Sequence, residues 1–196
     1  MRAWPAALPL ALAGAAIAVF HGSAADVAAT AFFFDPASAT FPLKDARALA
    51  IAGHTALKWV AIVAWVACVA AGGAWRRGAI FALAIAASVS LLKQASPWSC
   101  PWDLPAFGGT KPGAGGCLPA AHPLSGFAFY GVAAALWHGR RRAAWMVLAV
   151  ATLVGIVAGS VQVARGAHFI SHVLAAAWIA AGVGLAAARL ERRRAL

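Results

Sequence analysis

Six stretches of this chain are almost wholly apolar, over residues 4–22, 54–75, 79–95, 124–137, 143–161 and 169–188, and the polar residues gather between them. A hydrocarbon core takes about 20 apolar residues to cross as a helix, so each stretch predicts a transmembrane helix. The pattern predicts one all-α domain over residues 1–196, a polytopic membrane bundle of about six helices. The first stretch also reads as a cleavable signal peptide, with Arg2 ahead of it and Ser23-Ala24-Ala25 behind. Its length and the even number of spans it gives favour a retained helix.

Two long connections interrupt the pattern. Residues 24–52 carry Phe32, Phe33, Phe34 and Phe41, which predicts an external segment with its aromatic rings at headgroup level. Residues 96–123 are rich in Pro, Gly and Trp and cannot continue a helix.

Composition agrees with the membrane reading. The 196 residues are 63% hydrophobic and only 11% charged, with a mean hydropathy of +0.81. A net charge of +11 raises the question of nucleic acid. The basic residues instead fall in short clusters between apolar runs, with no recognition helix or aromatic platform, so no nucleic-acid partner is expected. Arg2, Arg76-Arg77, Arg140 to Arg142 and the C-terminal arginines occupy alternate connections. By the positive-inside rule that side is cytoplasmic, together with both termini. The other side then carries residues 24–52, residues 97–123 and the short turn at Arg165.

Polar residues at the edge of a membrane are costly to keep and therefore mark candidate sites. Lys93 ends the third run, His122 precedes the fourth, and the stretch VQVARGAHFISH over 161–172 places Arg165, His168 and His172 before the sixth. All of them fall on the outer side. Lys93, Arg165 and Lys111 are cations, and His122 and His168 exchange protons near neutral pH. Backbone N–H groups around Ala120 and Ala121, ahead of the fourth helix, would suit a phosphate. The set fits an anionic phosphoryl substrate, attacked by one imidazole while the other protonates the leaving oxygen.

Taken singly, these residues also have plainer explanations. Lys93 and Arg165 suit interface anchoring, His54 and His138 suit solvated helix ends, His21 suits the interface, and Trp98 and Trp102 suit an aromatic belt. Cys68 reads as a small buried hydrophobe. His168 and His172 are four apart, which is also a metal-ligand spacing, with His122 or Asp103 as a third zinc ligand.

The ordered motifs resemble the type 2 phosphatidic acid phosphatases. KQASPWSCP keeps that family's Lys and Pro at Lys93 and Pro101, with Cys100 where Arg is usual; PAAH keeps Pro119 and His122, with Ala120 and Ala121 replacing Ser and Gly. In the third motif His168 matches the histidine, while Gln162 and His172 stand at the usual arginine and aspartate positions. A bacterial branch with CPWDL and RGAHF is closer, matching residues 100–104 and 165–169; its aspartate after Ser-His corresponds to Val173.

The resemblance implies a lipid phosphatase that hydrolyses a phosphomonoester or pyrophosphate at the outer leaflet of a bacterial inner membrane. His168 is then the nucleophile, passing through a phosphohistidine, and His122 the acid. Lys93, Arg165 and the backbone of Ala120 and Ala121 hold the phosphate, and no metal or other cofactor is required. The family aspartate orients the nucleophilic histidine; His172 or Asp103 would have to take that role, and Val173→Asp is expected to raise turnover. Loss of the aspartate also allows a weakened relative that binds lipid phosphate without turning it over. The partners expected are the phosphorylated lipid and the bilayer; the oligomeric state is left open. Finally, Cys100 and Cys117 share a loop on the outer side, where an oxidising periplasm would join them as a disulfide.

Overall fold

The computed structural model describes residues 7–194; Arg2 lies outside that range, and the side chain of His54 is also outside the described part. Among the described residues seven α-helical segments follow one another, α1 Ala7–Phe20, α2 Ala24–Ala31, α3 Arg47–Ala71, α4 Gly73–Gln94, α5 Leu124–Leu136, α6 Arg141–Ala164 and α7 Ile170–Arg194. The chain is an all-α membrane bundle. Every apolar run becomes helical, but not as six equal rods. α3, α4, α6 and α7 are long and apolar enough to cross a membrane, whereas α1 and α2 reach that length only as a pair bent by 69°, and α5 is shorter.

The boundary between α3 and α4 differs from the expectation. The reversal falls at Gly72-Gly73, where both glycines adopt positive φ (70° and 50°), rather than after Trp75. That backbone is open to glycine at little steric cost. Arg76 and Arg77 consequently ride on the first turn of α4. At its other end α3 begins at Arg47, with a π turn over Ile51–Ala56.

Leu, Val and Trp side chains of α3 and α6, including Trp59, Val60, Trp145, Met146 and Leu153, point outward, as the apolar belt of a bilayer protein requires. The interior combines many alanines with a few large side chains. Ala82, Ile85, Phe127, Ala176 and Ala180 form the central cluster, drawn from α4, α5 and α7. In lipid there is little hydrophobic drive between helices, so close backbone approach must supply the attraction. Gly126 of α5 lies so near the backbone of Ala151 and Gly155 on α6 that a Cβ would overlap it.

The two ends of the bundle are chemically different. At one end Arg77 at the start of α4 pairs with the buried Glu191 near the end of α7 at 2.8 Å, and Arg194 joins at 3.1 Å. His138, beyond α5, reaches Ala188 O at 3.2 Å. The arginine clusters of α4 and α7 therefore meet at this end.

At the opposite end, residues 32–46 fold over the start of α7. Phe41 and Phe107 pack with Phe169 into a buried cluster flanked by Phe33 and Phe34. The phenylalanines expected at headgroup level are thus mostly inside; Phe32 alone of the four is largely exposed, at 83%. Phe41 is held against Gly166, which has φ +74° and no room for a Cβ beside that ring.

Candidate active site

His168 occupies the short link between α6 and α7, and the local backbone fixes it there. The last turn of α6 closes on itself through Gly166 N to Val163 O and Ala167 N to Gln162 O, both 2.9 Å. The loop of residues 100–104 docks on this link, Trp102 N donating to Gly166 O at 3.1 Å. Cys100 and Cys117 are joined by a disulfide, with Cα atoms 5.2 Å apart. Sγ of Cys117 lies 3.2 Å from Nδ1 of His168, so the bridge abuts the ring and leaves Nε2 as the nitrogen available for chemistry.

Four imidazoles form a row here. His122 and His168 have ring centroids 5.9 Å apart, His168 and His172 5.7 Å, and His172 and His21 5.3 Å. Trp98 closes the row, edge-on to His21 at 4.6 Å. His168 is 2% exposed. Burial pushes its imidazole well below the ordinary histidine range, and the charges of Lys93, His172 and His122 add to that push. A neutral imidazole is the form that can attack an electrophile.

The second sequence island is tied to the third by backbone. Ala120 N donates to His172 O at 2.9 Å, which sets His122 opposite His168. That N–H, expected to meet a phosphate, is spent on the scaffold, and α5 begins only at Leu124, beyond Ala121 and His122. Arg165, also expected on phosphate, donates Nε and a terminal nitrogen to Lys44 O at 3.0 and 2.8 Å. It anchors the cap formed by residues 32–46. Asp103 contributes backbone: its N donates to Cys100 O and its O accepts from Lys111 N. Lys93 sits in the last turn of α4.

The zinc arrangement is not assembled. Among the described residues, the only convergent set of three ligand types is Cys100, Cys117 and His168, within 4.8 Å of one another. Its two sulfurs are bonded to each other and offer no thiolate. His122 and Asp103 do not converge with His168 and His172.

Two residues escaped the sequence reading. Asp26, on the first turn of α2, is fully buried and accepts from Ser171 N at 3.1 Å and Ser171 Oγ at 2.6 Å. His21, expected at the interface, has its Nδ1 2.9 Å from the same Ser171 Oγ and 4.0 Å from Asp26 Oδ2. One signal was available: the chain has only five acidic residues, and Asp26 stands within an otherwise small and apolar stretch, AADVAATA.

The family profile described as the PAP2 superfamily matches residues 73–195, from the start of α4 through α7. The chain belongs to the PAP2 superfamily. That membership supports a phosphatase-type function. No curated protein and no solved structure matches it. The PAP2 region contains Lys93, His122, Arg165, His168 and His172, and it leaves α1 to α3, with His21 and Asp26, outside.

Proposed function

We propose that this PAP2 protein hydrolyses the phosphate ester or pyrophosphate of a membrane lipid through a phosphohistidine on His168. The observation that carries the reading is the facing pair His122 and His168, 5.9 Å between ring centroids at the end of the bundle away from the arginine clusters. Nε2 of neutral His168 attacks phosphorus and the bond to the leaving oxygen breaks as His122 gives that oxygen a proton. Water then attacks the phosphohistidine, His122 takes its proton, the P–N bond breaks, and inorganic phosphate leaves with His168 restored. Lys93 stabilises the charge on the phosphoryl oxygens.

A lipid substrate is favoured by a cavity of about 550 Å³ between α3, α4 and α5. Ile62, Trp65, Leu83 and Phe129 line it together with His122, so an acyl or prenyl chain can lie beside the acid that protonates its headgroup. Lys58 stands on the same wall as a further cation for that headgroup. The site faces the periplasm of a bacterial inner membrane in this reading, because the arginine-rich end belongs on the cytoplasmic side and a disulfide belongs in an oxidising compartment.

The missing family aspartate supports a second reading, binding of lipid phosphate without turnover. His172 stands in its place, and both ring nitrogens are buried without a hydrogen-bond partner among the described residues. Phosphate release by purified protein from diacylglycerol phosphate and polyprenyl pyrophosphate, with and without EDTA, separates the two. Release that EDTA does not affect and that His168→Ala and His122→Ala each abolish is expected. Tight lipid binding with no release would establish the second reading.

A further inference from the structure

A buried carboxylate belongs to the catalytic cluster, but it comes from the wrong end of the chain. Of the five acidic residues, Asp26 is fully buried at the His168 end, while the other buried acid, Glu191, is committed to Arg77 and Arg194 at the far end. An isolated carboxylate costs several kcal/mol to bury, and it is tolerated where donors converge on it. Here the donors are Ser171 N, Ser171 Oγ and Gly22 N, at 3.1, 2.6 and 3.2 Å. Two of the three belong to the first turn of α7, directly beside His172.

The hydrogen bonds have a direction. Ser171 Oγ, at 2.6 Å from Asp26, gives its single proton to the carboxylate and must accept from His21, so His21 carries a proton on Nδ1 and turns Nε2 toward His172. That Nε2 is buried with no partner among the described residues, as are both nitrogens of His172, whose ring centroid is 5.3 Å away. Buried polar atoms are seldom left orphaned without a reason. No hydrogen bond joins His21 to His172 or His172 to His168; the rings are packed neighbours, with centroids 5.3 and 5.7 Å apart, so Asp26 acts on the row through its charge and through its grip on Ser171, the residue before His172.

We propose that Asp26 is a positioning residue for this site: it fixes Ser171, and with it the first turn of α7 that carries His172, and it places a negative charge beside the imidazole row. This rests on the phosphatase reading of the same site. When His168 attacks phosphorus its ring becomes cationic, and a fixed carboxylate at the same end of the bundle lowers the energy of that cation. The supplying segment lies before residue 73, where the PAP2 profile begins, so the N-terminal helices complete the site rather than merely anchor it.

The test compares full-length protein in detergent on diacylglycerol phosphate. Asp26→Asn, which keeps size and shape, and His21→Gln, which leaves the Asp26 to Ser171 contact in place, should each lower kcat on the order of tenfold to a hundredfold with KM nearly unchanged. In a His172→Asp background, where a carboxylate stands at the family position, Asp26→Asn should cost less than about threefold. A kcat for Asp26→Asn within about twofold of the parent, or the same loss in both backgrounds, would overturn the proposal. Spectra of 15N-histidine-labelled protein read the coupling without turnover: His21 should be protonated on Nδ1, and Asp26→Asn should shift the resonances of both His21 and His172. Unmoved His172 resonances overturn the proposal even if the parent releases no phosphate, a result that would count separately against the phosphatase reading.

Discussion

Val173 of α7 fills the space above Gly159 of α6, so closely that any side chain on the glycine would collide with its methyl groups. Val173 also borders the central cluster around Ile85 and Phe127. This contact changes the meaning of the branch motif, whose aspartate falls at 173. The side chain there faces apolar packing, whereas His172, one residue earlier, faces the row of imidazoles.

Val173→Asp is therefore expected to destabilise the bundle by about 1–3 kcal/mol, the cost of an unpaired polar group in such packing, and to leave turnover no higher. Thermal unfolding in detergent, beside a phosphate-release assay, checks both halves. A folded Val173→Asp protein with increased kcat would restore the sequence-based expectation.

The disulfide offers a second check, because Cys117 Sγ touches the His168 ring. Replacing both Cys100 and Cys117 by Ser frees the 96–123 loop and removes a wall of the site. Stability should fall by about 3 kcal/mol on the chain-entropy account, and kcat should fall with it. Mass spectrometry of alkylated, non-reduced protein should find no labelled thiol at either position. Labelling at both in exported protein would remove the bridge and the argument for a periplasmic face.

What the sequence made legible follows from the kind of force involved. The helices were readable because long apolar runs between charges answer directly to the bilayer. Lys93, His122 and His168 stood out for the converse reason, being polar where polarity is costly. The turn at Gly72-Gly73 was misplaced because Arg76-Arg77 is the louder signal, yet it is the backbone freedom of glycine that reverses the chain. Asp26 and His21 were missed because their partner, Ser171, lies 145 and 150 residues away. Local pattern carries no information on such a contact. The N–H of Ala120 looks available in sequence and is taken by His172 O in the fold, and Arg165 turns Nε and one terminal nitrogen to Lys44 O.

Burial of neutral His168 gives stability a defined pH dependence. Its folded-state pKa lies below the unfolded value, so on acidification the unfolded chain takes up a proton first and folding loses free energy. The loss begins as pH falls through about 6.5 and ends once the folded-state value is passed. The melting temperature of the parent should drop between about pH 7 and pH 5 more than that of His168→Gln, which has no imidazole to protonate. Equal slopes for the two proteins would show that His168 is solvated and ionises freely.

The last prediction uses the opposite end of the bundle as a control. Glu191 is 5% exposed and accepts from both Arg77 and Arg194, and Arg77 is itself only partly covered, at 42%. Removing one partner of a buried pair costs more than the pair contributes, because the remaining charge keeps its desolvation penalty. Glu191→Ala leaves two arginines facing each other between α4 and α7 and should lower stability by about 1–3 kcal/mol, the exposure of Arg77 keeping the loss below that of a fully buried pair. Glu191→Gln should cost less, since its amide oxygen still accepts. Neither change touches the imidazole row, so kcat and KM of folded protein should stay within about twofold of the parent while the melting temperature falls. A loss of kcat in folded Glu191→Ala would mean that packing at the arginine-rich end reaches His168 through α7, and the site could no longer be treated as confined to the other end.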